Sequence, residues 1–200
     1  LSIATEKEKD NTVYSMLSSY VKQGARSAKI FIVHRLDRDT SGVMVFAKTM
    51  EAKETLQQNW DSMVINRTYI TLVEGVVQKD SGTIHSYLWE DKNLNMRSSF
   101  NSNEGQEAIT HFKVIKRLKG FSLLEVELET GRKNQIRVHM QLIGHPVVGD
   151  KKYGATSNPI GRVGLHANLL SFEHPITGHV VTFKSPIPNK IAKFIGKGIK

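Results

Sequence analysis

Short apolar runs separated by turn residues are the feature that most constrains how this chain can fold. They are rich in β-branched residues and are bounded by glycine, proline or aspartate, as is typical of strands joined by tight turns. Gly120 and the sequence PITG at 175–178 mark two hairpin connections. Because hairpins join antiparallel strands, we expect an α+β fold with a mixed, mostly antiparallel central sheet. The predicted strands are 29–33, 43–47, 67–77, 110–117, 122–128, 163–172 and 179–183.

Helical periodicity appears between these strands and at both ends of the chain. Apolar residues follow the i, i+3, i+4, i+7 pattern from Val13, and Ile136 and Met140 begin a second helical pattern that Gly144 can end. Thr49 can cap a further helix. Helices are therefore expected to flank the sheet. The predicted helices are 12–22, 49–60, 133–143 and one that begins at Pro188.

Composition restricts the function classes. The chain has 200 residues, the length of one domain, with 28 Lys and Arg against 19 Asp and Glu, a formal net charge of +9. Such an excess favours a polyanionic partner, nucleic acid first. The absence of cysteine excludes disulfides, thiolate zinc sites and a cysteine nucleophile. No apolar run approaches the roughly 18 residues of a membrane helix, so we expect a cytoplasmic protein without a membrane partner.

Residues 34–42, which read HRLDRDTSG, form a polar loop between two predicted strands. Composition alone favours a solvated loop with local ion pairs. The alternative is a carboxylate held ionised by neighbouring arginines, which could act as a nucleophile or as a base. The loop is therefore the first candidate catalytic segment.

The same loop resembles the central motif of the RluA-type family of RNA pseudouridine synthases, whose pattern is approximately H-R-L-D-x-x-T-S-G. Asp37 occupies the position of the family's catalytic aspartate, whereas Asp39 occupies an unspecified position. Residues 67–75, RTYITLVEG, resemble the next strand motif, which places Tyr69 at the active-site tyrosine. Without the resemblance, Tyr69 would be interpreted as a residue packed on the sheet.

A third segment, TGRKNQIRVH at 130–139, resembles the family pattern T-G-R-x-x-Q-I-R-x-H. The resemblance places Arg137 at the arginine that pairs with the catalytic aspartate. A partly buried arginine also needs an acidic partner on physical grounds. Without the resemblance, this helix would equally suit a basic surface. Lys133 and Asn134 stand where the family usually has Thr-His, so no substrate contact is transferred to them.

The resemblance continues through GHPVVGD at 144–150, LHA at 165–167 and FEHP at 172–175, and so covers about residues 30–188. It implies a pseudouridine synthase fold. A strand motif with Lys-Pro and Gly-Leu, which normally precedes this region, is missing. We therefore expect residues 1–200 to be one catalytic domain, shortened at its N-terminus and lacking any separate N-terminal RNA-binding domain.

By resemblance, the chain is an isomerase that converts uridine to pseudouridine in structured RNA, ribosomal RNA ahead of transfer RNA, without a cofactor. The implied catalytic roles are nucleophile for Asp37, base stacking and proton transfer for Tyr69, and an ion pair to Asp37 for Arg137. Attack at C1′, attack at C6 and elimination through a glycal stay open. A monomer is expected. The implied substrate-binding residues are His34, Arg35, Thr40, Ser41, Arg132 and Gln135.

Other classes of protein remain as alternatives. A non-catalytic RNA-binding module could retain the fold, but it would not need an acid that faces phosphates. A metal-dependent nuclease needs clustered carboxylates and a glycosidase needs a pair, whereas the loop offers Asp37 and, two residues on, Asp39. The histidines fit no zinc pattern, so no metal is expected. The candidate phosphate-binding lysines are Lys151, Lys152, Lys190, Lys193, Lys197 and Lys200.

Overall fold

The structure is a computed structural model that describes residues 12–196. Within this range, the helices are α1 (Val13–Gly24), α2 (Met50–Gln58), α3 (Trp60–Met63), α4 (Gln135–Leu142) and α5 (Asn189–Ile195). The strands are β1 (Phe31–Ile32), β2 (Ser41–Gly42), β3 (Phe46–Ala47), β4 (Val64–Glu74), β5 (Ser81–Glu90), β6 (Met96–Ser99), β7 (Gln106–Leu118), β8 (Phe121–Leu128), β9 (Leu165–Glu173) and β10 (Val180–Lys184). The tail lysines Lys197 and Lys200 lie outside the described residues.

Eight strands of the described chain form one mixed sheet in the order β10-β9-β4-β8-β7-β5-β6, and β2 joins it by pairing with β9. The β2–β9 pair is parallel and the other pairs are antiparallel. The predicted α+β fold with a mostly antiparallel sheet is confirmed. Between residues 12 and 196, none of the helices combines the length and the apolar content needed to cross a membrane.

Two helices pack against opposite faces of this sheet. Ile136 and Met140 of α4 join a buried cluster that includes Leu124, whereas Ile191 of α5 joins a cluster that includes Leu123. Side chains of consecutive strand residues point to opposite faces, so Leu123 and Leu124 place α5 and α4 on different sides. This division separates the surface beside α4 from the surface beside α5.

Side-chain caps explain where the first two helices begin. The Thr12 hydroxyl accepts a hydrogen bond from the Ser15 N–H at 3.0 Å, and Thr49 caps α2 as predicted, accepting from the Ala52 N–H at 3.2 Å. Such caps satisfy N–H groups that have no partner within the helix. The single helix predicted over 49–60 is instead two helices, because the backbone leaves helical geometry at Asn59.

The sequence analysis does not predict the hairpin of β5, which begins at Ser81, and β6. The buried positions of β5 are Ile84, Ser86 and Leu88. Ser86 is buried because its hydroxyl hydrogen-bonds to His139 Nε2 at 2.9 Å. A polar residue at a buried position interrupts the alternation from which strands are predicted, which explains the missed hairpin.

Gly42 attaches the polar loop to the sheet. Ser41 and Gly42 pair in parallel with His166 and Ala167, and the Val43 N–H donates to the Ala167 carbonyl at 3.0 Å. Gly42 has φ +128°, and a Cβ at this position would lie 2.1 Å from the Ala167 carbonyl oxygen. Only glycine permits this close approach of the loop to β9.

Replacing Gly42 by alanine tests this attachment. We expect Gly42→Ala to lower the free energy of unfolding by about 2–4 kcal/mol, because it adds both backbone strain and a clash with a backbone atom. Urea unfolding measures the change. Gly24→Ala is the control, since a Cβ there meets nothing within 4 Å. Equal stability of the two variants would contradict the proposed attachment.

Candidate active site

A cleft of about 360 Å³ opens where the loop 34–42, strands β4 and β9 and the segment 128–136 meet. Its size is in the range of small-molecule sites. Seven of the nine predicted site residues line it, whereas Ser41 and Arg137 lie outside its lining. The seven are His34, Arg35, Asp37, Thr40, Tyr69, Arg132 and Gln135.

Asp37 lies in the cleft with its carboxyl group partly shielded from solvent. Burial raises its pKa, and this effect outweighs the opposing effects of Arg137, a backbone hydrogen bond from Asn134, and Arg35. The arginines act on Asp37 in the direction that the sequence suggests, since both lower its pKa. Desolvation opposes them, because it penalises the charged carboxylate.

Arg137 forms its ion pair with Asp150 and not, as predicted, with Asp37. Arg137 Nε donates to Asp150 Oδ2 at 2.6 Å and Nη2 donates to Oδ1 at 2.8 Å. Both residues are buried, with 5% and 2% of their surface exposed. Within the described residues, Asp150 is the acid with which Arg137 forms an ion pair. The positive charge of Arg137 acts on Asp37 without a direct ion pair between them. A bidentate carboxylate satisfies a desolvated guanidinium better than a partner at longer range.

Asn134 connects this buried pair to the cleft. Its side-chain oxygen accepts from Arg137 Nη1 at 3.0 Å, and its Nδ2 donates to the Tyr153 hydroxyl at 2.9 Å. The Tyr153 ring also lies against the guanidinium, 4.9 Å from Arg137 Cζ. The Asn134 backbone is left-handed, with φ 55°, and asparagine tolerates this conformation well. The side chain thus fixes a turn whose N–H serves Asp37.

Tyr69 lies on β4, between Val126 of β8 and Ala167 of β9. Burial raises its pKa to about 12, with Asp37 adding to the rise and Arg67 opposing it. Arg67 Nη2 donates to the Leu128 and Glu129 carbonyls at 3.3 and 2.9 Å, which ties β4 to the end of β8 and to the residue that follows it. The Tyr69 hydroxyl therefore stays protonated near neutral pH.

Gln135 shapes the cleft wall. Its Oε1 accepts from the Thr130 hydroxyl and the Arg132 N–H at 2.8 and 3.0 Å, and its Nε2 donates to Ile109 O and Thr110 Oγ1 at 3.0 and 2.9 Å. An amide side chain has two donors and two acceptor positions. Its hydrogen-bonding capacity is thus filled by protein groups, and we assign Gln135 to the wall, not to a substrate contact.

Ser41 and His34 are also engaged by protein groups. The Ser41 hydroxyl accepts from Arg162 Nη2 at 2.7 Å and lies 2.8 Å from His166 Nδ1. His34 Nε2 accepts from the Val45 N–H at 3.1 Å, and its ring lies 4.9 Å from that of Trp60. Burial, reinforced by Arg67, lowers the pKa of His34 to about 4. The neutral imidazole shapes the loop and presents no charge to a phosphate.

Several residues at the site received no role from the sequence. Arg67 stands in the matched strand motif and Asp150 in GHPVVGD, so motif membership was a usable signal for both. Trp60 and Asp61, which line the cleft, follow α2 and carried no signal. No group of three His, Cys, Asp or Glu residues within 12–196 is arranged to hold a metal ion.

The model of the family "RNA pseudouridylate synthase" matches residues 2–142. This chain therefore belongs to that family, and the resemblance to RluA-type enzymes is confirmed.

Among its relatives in Bacillus subtilis (strain 168), one named "Uncharacterized RNA pseudouridine synthase YlyB" is 42% identical over 165 residues, covering 82% of this chain and 54% of that protein. "Ribosomal large subunit pseudouridine synthase D" of Neisseria meningitidis serogroup A / serotype 4A is 36% identical over 192 residues, covering 90% and 51%. The chain thus spans a little over half the length of these relatives.

A solved structure, "Human RNA Pseudouridylate Synthase Domain Containing 4", has a similar fold. Its TM-score is 0.77 at 21% identity, and the match covers 96% of this chain and 83% of that one.

The burial of His139 predicts that the folded protein loses stability as the pH falls. It is fully buried between Ser86 and Thr110, and burial lowers its pKa from 6.5 to about 4. Between these pH values the unfolded chain binds a proton that the folded chain does not, so stability falls as pH falls. The shift corresponds to about 3 kcal/mol.

Urea unfolding between about pH 7 and pH 4 measures this loss. We expect His139→Gln to reduce the pH dependence by a comparable amount. His179→Gln, at an exposed position, is the control. Parallel stability curves for the wild type and His139→Gln would show that this imidazole does not account for the acid sensitivity.

Proposed function

We propose that this chain isomerises uridine to pseudouridine in structured RNA, with ribosomal RNA as the first candidate substrate and transfer RNA the second. The reaction breaks the bond between C1′ and N1 and joins C1′ to C5, while the proton lost from C5 is balanced by one gained at N1. Family membership supports the reaction, and the relative named for the large ribosomal subunit supports the substrate. We place the protein in the cytoplasm on the same basis.

The observation that carries this proposal is the meeting of Asp37 and Tyr69 in one cleft of about 360 Å³. Their segments lie far apart in sequence, and the attachment of Gly42 to β9 brings them together. A cleft of this size is suited to a single base that has left its stack, since an enzyme must expose a base before it can act on it.

Asp37 is the proposed nucleophile. Burial raises its pKa, which makes the ionised carboxylate a stronger base, and Arg137, Asn134 and Arg35 limit the rise. An RNA-binding surface without chemistry would gain nothing from a partly desolvated acid, because RNA phosphates repel it. This argument favours an enzyme over a binding module.

Tyr69 is proposed to stack on the uracil and to donate a hydrogen bond from its hydroxyl. With a pKa of about 12, the phenol is a poor general base near neutral pH. The sequence analysis considered both base stacking and proton transfer for Tyr69. The raised pKa favours stacking and the donation of a hydrogen bond. Arg35, which is exposed at the cleft, is proposed to fill the space left by the displaced base or to contact a phosphate.

Replacing Asp37 by asparagine tests the proposed chemistry. We expect Asp37→Asn to reduce pseudouridine formation by at least about a thousandfold, because an amide cannot act as the nucleophile. Asp39→Asn, in the same loop, is the matched control and is expected to retain activity. The readout is pseudouridine in ribosomal and transfer RNA from cells lacking the gene, incubated with each purified variant.

The outcomes separate the alternatives. Full activity of Asp37→Asn would overturn the role of Asp37, and RNA binding by the wild type without product would indicate a binding module. Loss of wild-type activity in EDTA would indicate metal-dependent chemistry instead. Product confined to transfer RNA would overturn the choice of substrate alone.

The charges lining the cleft balance one another, so the overall excess of +9 lies elsewhere. We propose that lysines outside the cleft supply much of the phosphate binding. Lys151 and Lys152 are exposed in a 3-10 turn beside Tyr153, on the α4 side, whereas Lys190 and Lys193 are exposed on α5. The charged lining residues are Arg35, Arg67, Arg132, Asp37, Asp61 and Glu129.

We expect the double variant of Lys151→Gln and Lys152→Gln to reduce the slope of log Kd against log salt by about 1.4, at 0.7 per lost phosphate contact. The chemical step on bound RNA is expected to change little. Changing Lys190 and Lys193 to glutamine removes the same charge from the opposite face of the sheet and is the control. Equal slopes for both double variants would contradict the proposal that Lys151 and Lys152, beside α4, bind RNA phosphates.

A further inference from the structure

The turn between β5 and β6, residues 91–95, which we call the hairpin tip, holds a leucine in an unusual backbone conformation. Within residues 12–196, Leu94 and Asn134 are the residues other than glycine with a positive φ, at 60° and 55°. Asparagine tolerates this left-handed region, whereas a bulky apolar side chain is unfavourable there. The leucine therefore makes the turn less stable than a glycine or an asparagine would.

Packing does little to compensate for this strain, because the Leu94 side chain is 67% exposed. The turn around it is nonetheless well fixed. The Leu94 N–H donates to the Asp91 carbonyl at 2.9 Å. The Asp91 carboxylate accepts from the N–H groups of Asn93 and Asn95, both at 2.9 Å. A strained and exposed apolar residue on a rigid turn points to a role in binding.

The hairpin is connected both to the wall of the cleft and to the turn that carries Lys152. Lys133, which follows the lining residue Arg132, forms an ion pair with Glu90 at the end of β5. Lys152 Nζ donates to the Leu94 carbonyl at 3.5 Å. An RNA strand that leaves the cleft towards the lysines of the 3-10 turn therefore passes beside Leu94.

The charges around the hairpin tip suit a polyanion. Each of the two acids that end β5 and begin the tip is bound by a cation, and the Asp91 carboxylate accepts from Arg97 Nε at 2.8 Å. An apolar side chain among unpaired cations is suited to unpaired RNA, which offers both the faces of its bases and its phosphates. The exposed lysines here that form no ion pair with a residue of the described range are Lys92, Lys151 and Lys152.

We propose that the Leu94 side chain packs against a base of unpaired RNA outside the cleft, while Lys151 and Lys152 bind the flanking phosphates. This inference rests on the proposed function in so far as that function makes RNA the substrate. Apolar side chains on a rigid element can insert between the bases of a nucleic acid. Because the turn fixes Leu94 before RNA arrives, binding does not require the loop to become ordered.

Leu94→Asn in the full chain tests the proposal, because asparagine suits the left-handed turn but offers no apolar side chain. We expect the urea midpoint of unfolding to rise by about 0.3 M or more, since the backbone strain is relieved. We expect the Kd for a single-stranded oligouridylate of about 20 nucleotides to rise about five- to tenfold, since one base contact is lost. A residue with a purely structural role would not raise stability and weaken RNA binding together.

Two further measurements identify the contact as apolar and as made to an unpaired base. In Leu94→Asn the slope of log Kd against log salt is expected to stay unchanged, because no phosphate contact is lost. The Kd for a blunt RNA duplex is also expected to stay unchanged, since the bases of a duplex are stacked on one another. Ile176→Asn is the matched control and is expected to bind both RNAs as the wild type does. Ile176 is 59% exposed in the turn between β9 and β10, at the opposite edge of the sheet.

A lower urea midpoint for Leu94→Asn would show that the leucine is kept for packing and would overturn the proposal. An unchanged Kd for the oligouridylate would do the same and would favour a protein partner for this surface, and failure of the wild type to bind the single strand would also overturn it. An equal loss of affinity for the duplex, or in Ile176→Asn, would exclude a specific base contact. These measurements need no catalysis, so they decide the role of Leu94 even if the wild type forms no pseudouridine, which would overturn the proposed function instead.

Discussion

The buried guanidinium of Arg137 is the interaction on which the architecture of the site depends. A desolvated charge is unfavourable unless it is paired and hydrogen-bonded. Asp150, Asn134 and the Tyr153 ring meet that requirement, and together they fix α4 against the connection that follows it. Asn134 also hydrogen-bonds to Asp37 through its backbone N–H. The residues that pair the buried guanidinium therefore also set the position of the Asp37 carboxyl group.

Outside this cluster, a second series of buried hydrogen bonds gives the cleft wall its shape. It runs from Ser86 through His139 and Thr110 to Gln135, and from there to Thr130. Each member is a polar group in the interior whose partner is another protein group, so none can move without leaving a buried group unpaired. The wall is therefore rigid, and the strands β5 and β7 beneath α4 contribute to the site although they do not line the cleft.

The sequence predicted regular elements well and the pairing of buried charges poorly. Helical spacing located α1 and α4, and the cap residue Thr49 located the start of α2, because both signals are local. The motif resemblance singled out Asp37 and Tyr69, and both line the same cleft. It assigned Arg137 the wrong partner, since the choice between Asp37 and Asp150 depends on which carboxylate meets the guanidinium after desolvation. Strand β5 was missed because Ser86 is a polar residue at a buried position. The partner that allows its burial, His139, lies 53 residues away in the sequence.

The distribution of charge separates binding from chemistry. Three arginines and three acids balance within the cleft lining, so the cleft has no net attraction for a phosphate, while exposed lysines of the 3-10 turn beside Tyr153 lie outside it. Contacts to phosphates far from the reacting base are equally strong before and during the reaction, and such uniform binding does not accelerate the chemical step. It can offset the few kcal/mol needed to take a base out of its stack. A cleft lining without net charge is then an advantage, because a strongly positive lining would attract the RNA backbone in place of the base.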